Sequence, residues 1–314
     1  MPDQKFRLVT RSDFDGLVCG MLLREKDMID DIKFVHPKDM QDGIVPITER
    51  DIITNLPYVA GCHMAFDHHA SEVTRNAGER RSNHVIDPAA PSASRVVYDH
   101  FGGPAGFPKI DPALIAAVDK ADSAQFSIDE ILNPQGWTLL NFVMDPRTGL
   151  GRFRDFRISN YDLMMQLIDR CRDLPVEDVL ELPDVRERVG LYNDHRGPFR
   201  EQLLRCAKVH GRTVTLDLRK EEIIYAGNRF MIYALFPECD MSLHVLWGLK
   251  QQNTVLALGK SIVDRTSPVD VGAICLGYGG GGHKAAGTCQ VPNDEAERVK
   301  NELVAALNPM AKAA

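Results

Sequence analysis

Apolar and polar positions follow two rhythms along the chain. In the first half, short apolar runs at 6–10, 32–35, 51–55 and 63–66 have the length and composition of strands, and Pro37 and Pro57 close the second and third. Helical spacing occupies 17–25, 92–101 and 112–119, the last with Asp111 as a cap and Pro112 at the first helical position. Strands alternating with helices predict a parallel, doubly wound α/β sheet. Residues 136–207 are mostly of helical pattern. Asn160 is a cap candidate there, and a long charged helix at 184–207 should be kinked or interrupted near Gly197-Pro198. From His210 the rhythm changes. Runs at 213–218, 222–226, 230–235, 243–249 and 254–258 predict strands. A helix at 269–276, a glycine run, a strand at 288–291 and an amphipathic helix at 294–307 should follow. The pattern divides the chain into a parallel-sheet domain at 1–184, a helical linker at 185–209 and a smaller α/β domain at 210–314.

A length of 314 residues is enough for about two such domains, and 44% hydrophobic with 26% charged residues is an ordinary globular composition. The net charge of -7 gives no global basic footprint. That argues against extended nucleic-acid duplexes as partners, while a local basic patch could still hold a short oligonucleotide or a polyphosphate. The seven cysteines are odd in number and none is in CxxC spacing. They read as reduced thiols rather than a disulfide framework or a zinc cluster. The first residues lack a signal-peptide pattern and no apolar run approaches membrane-spanning length, so a cytoplasmic protein is expected. The charges of the long helix read as a solvated face, and residues 311–314 as a frayed tail.

Four stretches carry candidate chemistry. Asp13-Phe14-Asp15-Gly16 follows the first strand and places two carboxylates at i and i+2, able to share or bridge metal ions. The same residues would also serve as a helix cap. Asp67-His68-His69 follows the fourth strand, at the edge where open α/β sheets place ligands, and suits a divalent metal. Asp119 and Asp122 end an apolar helix, where they could complete a metal site or form a charged terminal turn. Gly279-Gly280-Gly281-Gly282-His283-Lys284 exposes backbone N–H groups, and a helix starting directly after it would aim its positive end at an anion. Arg265 lies upstream as a further phosphate contact.

Together, and in this order, the four motifs resemble the DHH phosphoesterase superfamily with its C-terminal DHHA1 domain, over residues of about 6 to 292. The likeness is to the exopolyphosphatase-like and nanoRNase-like branch. It implies a Rossmann-like DHH domain that holds Mn²⁺ or Mg²⁺, one or two ions, and a DHHA1 domain that grips substrate. Asp13, Asp15, His68 and either Asp119 or Asp122 then match the metal ligands, with Asp122 preferred because Asp122-Ser123-Ala124-Gln125-Phe126 is similar to the family's motif. Asp67 and His69 match orienting or phosphate-contacting positions. Arg265, Gly280, Gly281, Gly282 and His283 match the substrate-binding loop.

Two departures stand out. Val9 and Arg11 occupy the places of the family's early histidine, and Asn55 stands where a bridging carboxylate is usual. A neutral amide cannot supply the charge that holds two dications together, and Arg11 would repel a nearby metal or clamp a phosphate. The resemblance therefore implies a metal-dependent phosphoesterase acting on short oligonucleotides, nucleotide phosphates, cyclic-dinucleotide products or polyphosphate. The alternative is a non-catalytic nucleotide or polyphosphate sensor on the same fold. A tRNA-synthetase-like nucleic-acid module disagrees with the acidic balance. A homodimer is left open.

Overall fold

The computed structural model describes residues 5–69, 72–73, 81–153 and 155–308. The expected tail at 311–314 lies outside them. The described residues form two compact units. The first comprises residues 1–125, 135–146 and 150–190; the second comprises 126–134, 147–149 and 191–314. The division falls inside the long helix Pro183–Cys206, within the span 185–209, and two short segments from before residue 150 join the second unit.

The first unit is built on a parallel sheet of β1 (Phe6–Thr10), β2 (Ile29–Phe34), β3 (Asp51–Thr54), β4 (Met64–Asp67) and β5 (His84–Ile86) in the order β2-β1-β3-β4-β5. Side chains alternate faces along each strand. Leu8, Ile52 and Phe66 join Leu17, Met21, Leu22 and Val97 in one apolar cluster. Val9, Ile53 and Ala65 point the other way and pack with Val35 and Met40. Both faces are covered, as a parallel sheet requires. Strand order reverses at β1 and β3, so the carboxyl ends of these strands open the crevice where such sheets bind ligands. The two ends are locked together: Thr54 Oγ1 lies 2.7 Å from Thr10 Oγ1, which in turn donates to the Thr54 carbonyl at 3.1 Å.

The second unit carries a mixed sheet, β10-β11-β9-β8-β7-β6. Its strands are β6 (Ala207–His210), β7 (Thr213–Asp217), β8 (Met241–Trp247), β9 (Thr254–Lys260), β10 (Gly281–His283) and β11 (Ala286–Val291). Met241, Leu243, Val245, Leu256 and Leu258 pack under the helices Val271–Leu276 and Ala296–Leu307.

Several expectations are corrected. Residues 222–226 form no strand, because side chains of the long helix satisfy their backbone. Gln202 donates to the Ile223 carbonyl and accepts from the Tyr225 N–H, and His195 Nδ1 accepts from the Ala226 N–H. The apolar run at 230–235 is a helix, Met231–Leu235, not a strand; periodicity cannot separate the two in so short a run. The long helix is not interrupted at Pro198, which lies inside it. Ser159 rather than Asn160 caps Asn160–Asp173, accepting from the Asp162 N–H.

On the opposite side of the first sheet from the ligand crevice, Asp51 is fully buried at the start of β3. It accepts from Arg7 Nε and Nη2 at 2.6 and 2.9 Å and from the Thr48 N–H at 2.7 Å. Burial alone would raise this carboxyl, but the Arg7 and Thr48 hydrogen bonds outweigh it and hold it below the usual carboxylate range. Asp51→Asn should cost about 3 kcal/mol, the low end for a buried pair that loses one partner. The folded-state value is depressed. The stabilisation is therefore fully present above the ordinary carboxylate pKa of about 3.9 and is lost as pH falls through the lower folded value. Denaturant melts of both proteins should show a gap at pH 7 that narrows in acid; an equal gap at pH 3 would contradict this assignment.

Candidate active site

The centre of the site is Asp15, in the first turn of the helix Phe14–Glu25 and only 2% exposed. A buried carboxylate needs donors, and the start of the helix Ala93–His100 supplies them. Ala93 N–H donates to Oδ2 at 3.0 Å and Ser94 N–H to Oδ1 at 2.8 Å. The Ser94 hydroxyl reaches Oδ1 at 2.5 Å. Even so, burial, followed by the charges of Asp122 and Asp13, pushes Asp15 up to about 7. A cation at this point would relieve the conflict.

His68 and Asp122 stand opposite. Ligand atoms of Asp15, His68 and Asp122 all lie within 4.8 Å of one another. The Nδ1 of His68 is 3.2 Å from the Ala90 carbonyl. A carbonyl can only accept, so Nδ1 carries a proton and Nε2 is the nitrogen left to face a metal. Nε2 lies 3.1 Å from Asp122 Oδ2, yet it is buried and without a hydrogen-bond partner. Nε2 and Asp122 Oδ2 thus face one another across the cluster, as two ligands of one ion would. Burial opposes a charge on His68, but Asp122 and Asp15 outweigh it and push the imidazole up to about 9. The cluster attracts positive charge. Two carboxylates and an imidazole suit a divalent ion of the Mn²⁺, Mg²⁺ or Zn²⁺ kind, so the residues fit the expected metal.

The neighbouring residues have other occupations. Asp13 caps the Phe14–Glu25 helix, its Oδ1 accepting from the Gly16 N–H at 3.0 Å and from Asn55 Nδ2 at 3.1 Å. Its Oδ2 pairs with Arg11 Nε at 3.1 Å. The structure therefore does not bring Asp13 into the three-residue cluster. Asp119 is also elsewhere: Ser92 Oγ donates to it at 2.7 Å and Arg95 grips it at 2.6 and 3.0 Å. Arg95 and Ser92 lie at the start of the same helix that holds Asp15, so Asp119 braces that helix while Asp122 faces the cluster. Asp67 is 1% exposed, and its Oδ1 lies 2.6 Å from His69 Nδ1. Its Oδ2 and the Asn55 Oδ1 are buried acceptors without partners, at the ends of adjacent strands. Burial opposes a charge on His69, but Asp67 outweighs it and raises the imidazole above its ordinary value.

Sequence reading did not find Ser92, Ala93, Ser94 and Arg95. Ala93 and Ser94 lie 78 and 79 residues from the carboxylate they support, and the only local signal was the Pro91-Ser92 helix start.

In the second unit, the glycine run makes β10, the edge strand of a hairpin, and not the entry to a helix. A Cβ on Gly280 would lie 2.2 Å from the Thr288 carbonyl oxygen, and one on Gly282 2.3 Å from that of Ala286. The glycines let β10 press against β11; Gly281 itself faces open space. His283 and Lys284 are exposed on this hairpin. Arg265 is exposed on the preceding loop, which Arg212 ties down through Asp240, Asp264 and Thr266.

The site and sheet define a phosphoesterase of the DHH class, and comparison with known proteins agrees. The chain belongs to the DHH phosphoesterase superfamily. It is 58% identical to a solved structure described as the pGpG-specific phosphodiesterase PggH from Vibrio cholerae, over 97% of this chain and 99% of that one, with a TM-score of 0.86. Weaker likenesses, too distant to bear on activity, are to CDC45 from Entamoeba histolytica (8% identity, 98% and 96% of the two chains, TM-score 0.49) and to Mn²⁺-bound RecJ from Thermus thermophilus (12%, 96% and 52%, TM-score 0.41). No protein-family model matches the chain, and no curated protein sequence does.

The turn that carries Asp13 and Asp15 leaves no room for a side chain at Gly16, where a Cβ would lie 1.9 Å from the Arg11 carbonyl oxygen. Gly16→Ala should cost about 1–3 kcal/mol through overpacking. By displacing Asp15 it should weaken Mn²⁺ binding about 10–100-fold, as loss of an orienting contact does. Calorimetric titration checks this; wild-type affinity in the variant would show that the turn does not set the site.

Proposed function

We propose that the chain hydrolyses pGpG to two molecules of GMP, with Asp15, His68 and Asp122 holding a divalent ion, Mn²⁺ or Mg²⁺. The observation that carries this is the complete Asp15–His68–Asp122 donor set in a chain 58% identical, end to end, to a pGpG-specific phosphodiesterase. An intact donor set also favours hydrolysis over a sensor that binds without turnover.

The ion would supply Lewis acidity that activates a water and neutralises phosphate charge. In the reaction a water oxygen bonds to the bridging phosphorus, the bond from phosphorus to the 3′ oxygen breaks, and a proton reaches the leaving oxygen. His69 delivers that proton. Asp67 holds its Nδ1 and stabilises the imidazolium, and the His69 side chain is 33% exposed, within reach of a substrate. Among the described residues no helix is long and apolar enough to cross a membrane. A small nucleotide substrate and reduced cysteines fit a cytoplasmic enzyme.

Chromatography of pGpG incubated with the protein and Mn²⁺ should show GMP as the only product. His68→Ala should reduce turnover to background, and His69→Ala should lower kcat about 10²–10⁴-fold while the bound metal is retained. Release of phosphate from polyphosphate with pGpG left intact would replace this reading with a polyphosphatase.

A further inference from the structure

We propose that Arg11 is the second cation of the reaction centre. Its guanidinium, anchored by Asp13, binds the scissile phosphate and keeps a second metal ion out, so the chain works with one divalent ion. This rests on the phosphodiester-hydrolysis reading given above.

The argument begins with Asp13. A carboxylate two residues from Asp15 is well placed to hold a second ion beside the first, but its oxygens are committed. Oδ1 takes the Gly16 N–H and the Asn55 amide, and Oδ2 takes Arg11. The other groups nearby cannot make up the charge. Val9, on the same strand as the turn, is fully buried among Val35, Ile53 and Ala65 and offers no donor. Asn55 is neutral and turns its amide nitrogen toward Asp13. Asp67 has one oxygen left after His69. A second dication would find one carboxylate oxygen and one amide oxygen, with a guanidinium already beside Asp13. Repulsion from that fixed charge outweighs so poor a donor set.

Arg11 is meanwhile arranged to act. Nε is its closest approach to Asp13, no nitrogen of its guanidinium makes a hydrogen bond among the described residues, and the side chain is 36% exposed. A planar fork with its outer edge open fits two oxygens of a phosphodiester. The Asp13 contact fixes the fork before substrate arrives, and preorganised donors of this kind stabilise charge that develops on phosphoryl oxygens. Asn55 steadies Asp13 from the other side. Asn55 sits at φ 55°, a conformation that asparagine and aspartate tolerate better than most residues. Asn55→Asp is therefore a compatible change that would add the missing charge.

The test counts ions. Wild type, Arg11→Gln and the double variant Arg11→His with Asn55→Asp are dialysed against excess MnCl₂; bound manganese is measured by elemental analysis and its electron paramagnetic resonance recorded. Wild type and Arg11→Gln should each hold one ion with a mononuclear six-line spectrum. The double variant should hold two, with an exchange-coupled spectrum. Arg11→Gln should lower kcat about 10²–10³-fold on pGpG, the usual loss for one charge-stabilising donor. If wild type does not cleave pGpG, the rate is read on bis-p-nitrophenyl phosphate, and the ion count stands by itself. Two ions on wild type, one ion on a folded double variant, or an undiminished rate in Arg11→Gln would each overturn the proposal. Should the double variant not fold, Asn55→Asp with Arg11→Ala replaces it under the same criteria.

Discussion

The site depends on one contact: a buried carboxylate, Asp15, seated on the first N–H groups of the Ala93–His100 helix. Without those donors a carboxylate 2% exposed and facing two others would not stay in place. With them it remains, but short of positive charge. Everything around it answers that shortage. His68 turns Nε2 inward because its other nitrogen is bound to the Ala90 carbonyl. Asp122 stands 3.1 Å from that inward-facing nitrogen. Arg95 takes up Asp119, which removes a competing carboxylate and steadies the same helix end.

The sheet explains why these residues meet. Strand order turns at β1 and β3, and the turns leaving β1, β3 and β4 carry Arg11 to Asp15, Asn55, and Asp67 to His69. The Thr10–Thr54 hydroxyl pair ties the first two strand ends together, so the cap of the Phe14–Glu25 helix and Asn55 share Asp13. Charge is divided between two adjacent places. One is a donor set for a metal ion; the other is an ion pair that already contains its cation. In the second unit the glycine run serves close packing of two strands, and the polar side chains beside it remain exposed.

Much of this was legible from the residues. Strands followed by acidic or histidine-containing turns announced the parallel sheet and placed Asp15 and His68 at its ligand edge. The departures at Arg11 and Asn55 were visible as charges of the wrong sign or size. What could not be read was long-range or a matter of competition. Ser94 supports Asp15 from far along the chain. The choice between Asp119 and Asp122 depends on where Arg95 reaches, and nothing local encodes that. Residues 222–226 have strand composition, but Gln202 and His195 meet their backbone first. Four glycines read as a phosphate loop entering a helix, whereas their lack of side chains is used to bring β10 against β11.

The proposed centre draws its positive charge from two sources, a divalent ion at Asp15, His68 and Asp122 and the guanidinium of Arg11. The most direct measurement is anomalous diffraction at the manganese edge from crystals grown with Mn²⁺. The account predicts a single peak shared by Asp15, His68 and Asp122, with Arg11 still paired to Asp13. A second peak among Asp13, Asn55 and Asp67, with Arg11 displaced, would contradict it.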